Sequence, residues 1–181
     1  MYIDSKTGLL HGARQCPSPN CNARPEPDDI SLLVIHGISL PPNEFGTPDI
    51  DRFFTNCLDP DSHPYFREIC GIQVSAHLLI RRSGEVVQYV PFQQRAWHAG
   101  ESVFAGRDNC NDFSIGIELE GTDDLPYEAI QYEQLQRVVR LIQEAYPLIT
   151  PERILGHCDI APGRKTDPGP SFDWQRFRAG L

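Results

Sequence analysis

The chain has no run of about eighteen apolar residues, so nothing in it reads as a membrane span. Its first residues, MYIDSKTGLLHGARQC, lack a basic stretch followed by an apolar core. A signal peptide is therefore not expected, and the chain reads as cytoplasmic. No CxxC pair occurs among Cys16, Cys21, Cys57, Cys70, Cys110 and Cys158, which argues against a structural four-cysteine zinc site. The even count admits disulfides, but 181 residues without an export signal need no such staples, so free thiols are expected. Positive charge is not in excess: the formal net charge is −9. That argues against general binding to nucleic acid or an anionic membrane, while leaving room for a local basic pocket. There is no internal repeat and no domain linker, and nothing implies an obligate protein partner. A single domain over 1–181 is expected, with residues 1–29 as an N-terminal arm packed on or near it. At 40% hydrophobic, the chain can bury a sizeable core.

The arm, rich in Pro, Asn and Asp, lacks periodicity and reads as ordered or semi-ordered but not helical. Ile30–His36 is a short continuous apolar run, as in a buried strand, and ends at Gly37. Thr47-Pro48-Asp49 looks like a helix start, with a short helix through Phe53 and Phe54. Residues 58–73 read as loop. Ser75–Ile80 and Glu85–Val90 read as strands joined by a tight turn at Arg82-Ser83-Gly84. A loop runs from Trp97 to Asp112. In Phe113–Glu120, Phe113, Ile115, Ile117 and Leu119 share one face, and Ser114, Gly116, Glu118 and Glu120 the other. Tyr127–Tyr146 has helical spacing at Leu135, Val138, Val139, Ile142 and Tyr146. Thr150-Pro151-Glu152 starts a short turn, Ile154–His157 reads as a brief strand, and Ser171–Phe177 as a capped terminal helix. Strands and helices mix without strict alternation, which predicts an α/β fold with a central mixed β-sheet flanked by α-helices.

His36 and His157 each close a short apolar run beside a glycine, a rigid base from which to present a ligand. Taken singly, each also suits a hydrogen-bonded core histidine. The segment HCDIAPGRKTD adds Asp167, so that His36, His157 and Asp167 supply the three protein ligands of a catalytic zinc site. With one carboxylate the site keeps a net charge of about +1, which leaves the metal a strong Lewis acid. Cys158 and Asp159 are weaker candidates: the first points away from His157 in an extended segment, the second lies very close to it in sequence. His77 suits packing or orienting another group. Trp97 and His98 open a glycine-containing loop and are candidate substrate contacts, as is a loop-stabilising role for His98. Glu118 and Glu120 on one strand face read most plainly as a solvated edge. Gly116, on the same face, leaves room for a ligand, and a carboxylate there suits general acid–base work. Lys165 is an ordinary loop lysine or a stabiliser of an oxyanion.

The stretches SLLVIHGISLPP, HPYF, VSAHLLIRRSGEVVQYVPF, RAWHAG, CNDFSIGIELEGTD and GHCDIAPGRKTDPGP, with FDW, change the balance. Through them the chain resembles the zinc-dependent N-acetylmuramoyl-L-alanine amidases, related to peptidoglycan recognition proteins. Within that family it is most similar to the AmpD-type 1,6-anhydro-N-acetylmuramyl-L-alanine amidases. The resemblance implies one zinc ion on His36, His157 and Asp167, Glu118 and Lys165 as the catalytic pair, and Tyr65 beside the metal. It implies an anhydro-muramyl-peptide substrate, cut between the lactyl group and L-alanine during turnover of imported wall fragments. One departure is visible: the family often has Asn after the first histidine, where this chain has Gly37.

Overall fold

The computed structural model describes every residue, Met1–Leu181. The central sheet has six strands: β1 (Arg14–Gln15), β2 (Leu32–Ile38), β3 (Leu78–Ile80), β4 (Val86–Gln88), β5 (Ser114–Glu120) and β6 (Ile154–Gly156). Their spatial order is β6-β2-β5-β3-β4-β1. β5 runs parallel to β2 and β3, and β6 parallel to β2, while β3 and β4 are antiparallel. The sheet is therefore mixed, as the sequence predicts. Helices α1 (Asp49–Phe54), α2 (Pro64–Ile69), α3 (Ala129–Ala145), α4 (His157–Ile160) and α5 (Trp174–Ala179) surround it.

β2 is apolar from Leu32 to Ile35 because both faces of the sheet are covered there. Leu33 and Ile35 join Leu135, Val138, Val139 and Ile142 of α3 in the main core. Leu32 and Val34 face the other way, against Cys110, Phe113 and Ile160. The amphipathic spacing of α3 thus decides which sheet face it covers, and each large apolar side chain buried there stabilises the fold by roughly 1.5–3 kcal/mol. Gln131 fixes the start of α3. Its side chain accepts the Glu128 N–H (2.9 Å) and donates to the carbonyls of Ile80 and Glu120 (3.2 and 3.0 Å).

All seven residues of β5 are buried. The solvated-edge reading of Glu118 and Glu120 is therefore wrong: β5 lies between β2 and β3, and loop residues cover its polar face, with the His98 ring against Gly116 and the Gly46 N–H on Glu120. Residues 58–73 also differ from expectation, since α2 forms inside them. Pro64 sits at the first helical position and the His63 side chain accepts the Tyr65 N–H (3.2 Å), so the proline starts a helix where a loop was expected. The arm is β structure: Tyr2–Asp4 pairs with Leu9–His11, β1 adds to the sheet edge, and Cys21–Ala23 pairs with Gln94–Ala96. Arg24 follows, 5% exposed, its guanidinium donating to the carbonyls of Phe92, Asn111, Asp112 and Ser114. Burial lowers its pKa to about 10, still far above neutrality.

Candidate metal centre and active site

The parallel register places the site. Across β5 and β2, Glu118 is paired with His36, and across β6 and β2, Gly156 is paired with Ile35, so His157 comes level with His36. The chain turns into α4 at His157, where the Asp159 carboxylate accepts the Gly156 N–H at 2.8 Å. Asp159 is thereby committed as a cap. Cys158 stands in a helical turn, not the extended segment that the sequence suggests, and its N–H is held by the Asp167 carbonyl at 3.0 Å. This bond, with the Tyr127 hydroxyl donating to the Pro168 carbonyl (2.9 Å), brings the Asp167 loop back over the sheet.

His36 Nδ1, His157 Nδ1 and Asp167 Oδ2 converge: the separations are 3.0 Å between the imidazoles and 3.2 and 3.1 Å from them to the carboxylate. No other group of histidine, cysteine and acidic side chains gathers in this way. His157 Nε2 faces the Ala99 carbonyl at 3.0 Å, and a carbonyl only accepts, so Nε2 carries the hydrogen and Nδ1 presents a lone pair. His36 Nε2 faces His98 Nδ1 at 2.9 Å, and His98 Nε2 faces Ser114 Oγ at 3.1 Å. A neutral relay in which His36 donates to His98, and His98 to Ser114, also leaves His36 Nδ1 bare. Burial, opposed by the nearby Asp167 carboxylate, brings the His36 pKa down to about 4, which keeps that ring neutral. Burial alone would raise the Asp167 carboxyl, but the adjoining His157 and His36 rings outweigh it and hold the group far below the usual carboxylate range, as an anion. Two lone pairs and an anionic oxygen pointed at one another repel unless a cation lies between them. Zinc ligands about 2.0–2.1 Å from the metal at tetrahedral angles lie roughly 3.3 Å apart, close to the triangle seen here.

A cavity of about 400 Å³ opens on this triad. Its wall includes Glu118, Lys165, Tyr65 and His98, with an apolar side from Leu40, Phe53 and Ile69. Glu118 is 8% exposed and its Oε2 is buried without a hydrogen-bond partner. Burial first, and then the Asp167 charge, raise its pKa well above the usual range, against the pull of Lys165. Glu120 differs sharply: its carboxylate accepts from the Gly46 N–H (2.7 Å), the Arg82 N–H (3.0 Å) and Arg81 Nη1 (3.4 Å). Glu120 is therefore a structural anchor, and Glu118 is the carboxylate left free for chemistry.

Three expectations need adjustment. His98 borders the cavity, but both of its ring nitrogens are engaged within the protein, so it orients His36. Trp97 lies outside the cavity wall, its indole N–H donating to Asn22 Oδ1 at 2.7 Å. Gly116 leaves room for the His98 ring and not for a ligand: a Cβ there would lie 2.5 Å from His98 Cγ. Gly37 does line the cavity, and a Cβ on it would lie 2.5 Å from the Tyr127 hydroxyl. Sequence reasoning missed Ser114, the Ala99 carbonyl and Arg164, which donates to the Ala99 and Glu101 carbonyls at 2.7 and 2.5 Å. Ser114 had a signal, since it shares the strand face of Glu118.

Residues 26–170 match the family profile described as N-acetylmuramoyl-L-alanine amidase. The chain is 61% identical over 171 residues to the 1,6-anhydro-N-acetylmuramyl-L-alanine amidase AmpD of Escherichia coli (strain K12), covering 94% of this chain and 93% of that one. A crystal structure of a selenomethionine AmpD derivative is similar with a TM-score of 0.96 at 58% identity, over 100% of this chain and 99% of that one. The E. coli amidase AmiD, solved with anhydro-N-acetylmuramic acid-L-Ala-D-γ-Glu-L-Lys, is 31% identical with a TM-score of 0.61, over 95% of this chain and 60% of that one.

Proposed function

The chain belongs to the N-acetylmuramoyl-L-alanine amidase family, and from that premise we propose that it works as a zinc enzyme with His36, His157 and Asp167 as the ligands. It hydrolyses the amide between the lactyl group of 1,6-anhydro-N-acetylmuramic acid and the L-alanine of the stem peptide, in peptidoglycan recycling. The observation that carries the metal assignment is the convergence of two bare imidazole nitrogens and one carboxylate oxygen within 3.2 Å of one another.

Bound there, zinc supplies Lewis-acid chemistry to the scissile carbonyl and to water. Glu118 lines this cavity, its Oε2 has no competing donor, and its raised proton affinity suits it to take a proton from the attacking water. It then delivers that proton to the alanine nitrogen as the carbon–nitrogen bond breaks. Lys165, on the cavity wall, balances negative charge as it develops on the carbonyl oxygen. Leu40, Phe53 and Ile69 give the cavity an apolar side that limits water, and Tyr65 adds a hydroxyl-bearing ring to its wall. The products are an anhydro-muramyl sugar and a free peptide. We place this activity in the cytoplasm, on imported wall fragments. No helix is long and apolar enough to cross a membrane.

Incubation with an anhydro-muramyl-peptide and, separately, with whole sacculi, read by mass spectrometry, tests the reading. Sugar and peptide released as separate species from the soluble substrate support it. Cleavage within the peptide, or of sacculi alone, overturns it. Metal analysis of the purified chain is expected to find about one zinc per chain, as three protein ligands require.

A further inference from the structure

The two histidine ligands are oriented by consecutive residues, and one side chain holds both of those residues. His98 supplies its ring to His36 Nε2 at 2.9 Å, and Ala99 supplies its carbonyl to His157 Nε2 at 3.0 Å. The backbone N–H groups of His98 and Ala99 both donate to Asn111 Oδ1, at 3.0 and 2.8 Å. Asn111 is 7% exposed and lies in a one-turn 3₁₀ helix, Cys110–Asp112, away from the cavity wall. A carbonyl oxygen has two lone pairs, so one amide can satisfy two successive buried N–H groups only if it is fixed in place.

That fixing is visible. Buried Arg24 donates to the backbone carbonyls of Asn111 and Asp112 at 3.3 and 3.1 Å, and Arg95 pairs with the Asp112 carboxylate at 2.5 Å. Before the turn, Ser102 Oγ accepts the Cys110 N–H at 3.1 Å. The chain of contacts therefore runs from a rigid turn, through one amide oxygen, to the hydrogen-bond acceptors that set the tautomer of each ligand histidine.

We infer that Asn111 is a positioning residue for the metal, aligning the His98 ring and the Ala99 carbonyl together so that both ligand histidines present Nδ1. This inference rests on the zinc reading above. If Asn111 is shortened, the segment at His98 and Ala99 loses its common anchor. The two imidazoles then lose orientation together, although neither they nor the carboxylate has changed.

The test is zinc affinity by chelator competition for the full chain, its Asn111→Ala variant and its Asn111→Asp variant, with thermal unfolding of each metal-free form alongside. Supporting partners of metal ligands are worth about 10- to 100-fold in affinity, and a loss of that size is expected for Asn111→Ala. Asn111→Asp keeps the accepting oxygen and is expected to bind within a few-fold of the parent. The visible spectrum of the cobalt-loaded chain should shift for Ala and not for Asp, a readout that a merely structural role would not move. A folded Asn111→Ala with unchanged zinc affinity, or Asn111→Asp as weak as Ala, overturns the inference. Should Asn111→Ala not fold, nitrogen-15 spectra of the parent holoenzyme decide: slowly exchanging Nε2–H protons on both His36 and His157 support it, and a proton on Nδ1 of either overturns it. A parent that fails to bind zinc overturns the metal reading and this one together, whereas a zinc-binding parent with indifferent variants overturns this one alone.

Discussion

Glu118 and Glu120 lie on one strand face two residues apart, yet their alanine variants are expected to fail in opposite ways. Glu120 gives its oxygens to two backbone N–H groups and to Arg81. Its side chain is 2% exposed and that of Arg81 is 9% exposed. Removing one partner of a buried charge pair costs about 3–5 kcal/mol. Asp51 and Glu85 still pair with Arg81, at 3.1 and 3.3 Å, which favours the lower end, about 3 kcal/mol. For a domain of this size that is a fall of roughly 6–12 °C in the melting temperature. Glu118 has the reverse ledger, because its Oε2 is buried with no partner and stabilises nothing. Glu118→Ala should therefore melt no lower than the parent, keep its zinc, and lose at least about a hundredfold in turnover, the scale of a positioned acid–base group. Calorimetry and product release from an anhydro-muramyl-peptide give the two readouts. A stable Glu120→Ala that is inactive, or a Glu118→Ala with near-normal turnover, would refute the assignment. If neither matters, Tyr65 is next to test.

His36→Ala and Asp167→Ala should each lose zinc on dialysis and lose activity, whereas Cys158→Ser should keep its metal by elemental analysis. Gly116→Ala puts a methyl 2.5 Å from the His98 ring. It should weaken zinc binding by about 10- to 100-fold without touching a ligand, and parent-like affinity would show that the ring has another place to go. All six cysteines are unpaired; a thiol reagent should therefore count six after denaturation without reductant, and a count short by two would reveal a disulfide.

The elements with a single strong signal were legible in the sequence. The heptad-like spacing of α3 and the alternation of β5 come from burial on one face, and burial is what hydrophobic pattern reports. The strand ends at Ile80 and Glu120 follow directly, whereas the strand read through His157 stops at Gly156 because His157 begins α4. The N-terminal arm and α2 were not legible, for two different reasons. The arm's strands are two or three residues long, too short to show a period, and owe their existence to edges elsewhere in the chain. α2 is a six-residue helix begun by Pro64, and its one buried residue, Phe66, makes no pattern. The burial of Glu118 and Glu120 was invisible because alternation shows that two residues share a face but not what covers it.

The candidate ligands were legible for a reason that also explains what stayed hidden. His36 and Glu118 stand opposite in a parallel ladder, and His157 follows the strand on the other side of β2, so register alone sets them in a row. Side chains that do chemistry at strand ends carry their identity in the sequence. Their supports do not: the acceptor for His157 is a main-chain carbonyl, that of Ala99, and the anchor for Ala99 is an amide in a turn twelve residues further on. A carbonyl has no letter of its own, so the tautomer of His157 becomes readable only once the backbone is in place. The same holds at Gly116, whose missing side chain is explained by a ring from another loop. The proposed metal site is written in three residues, and the electronic state of those residues is written in the path of the chain around them.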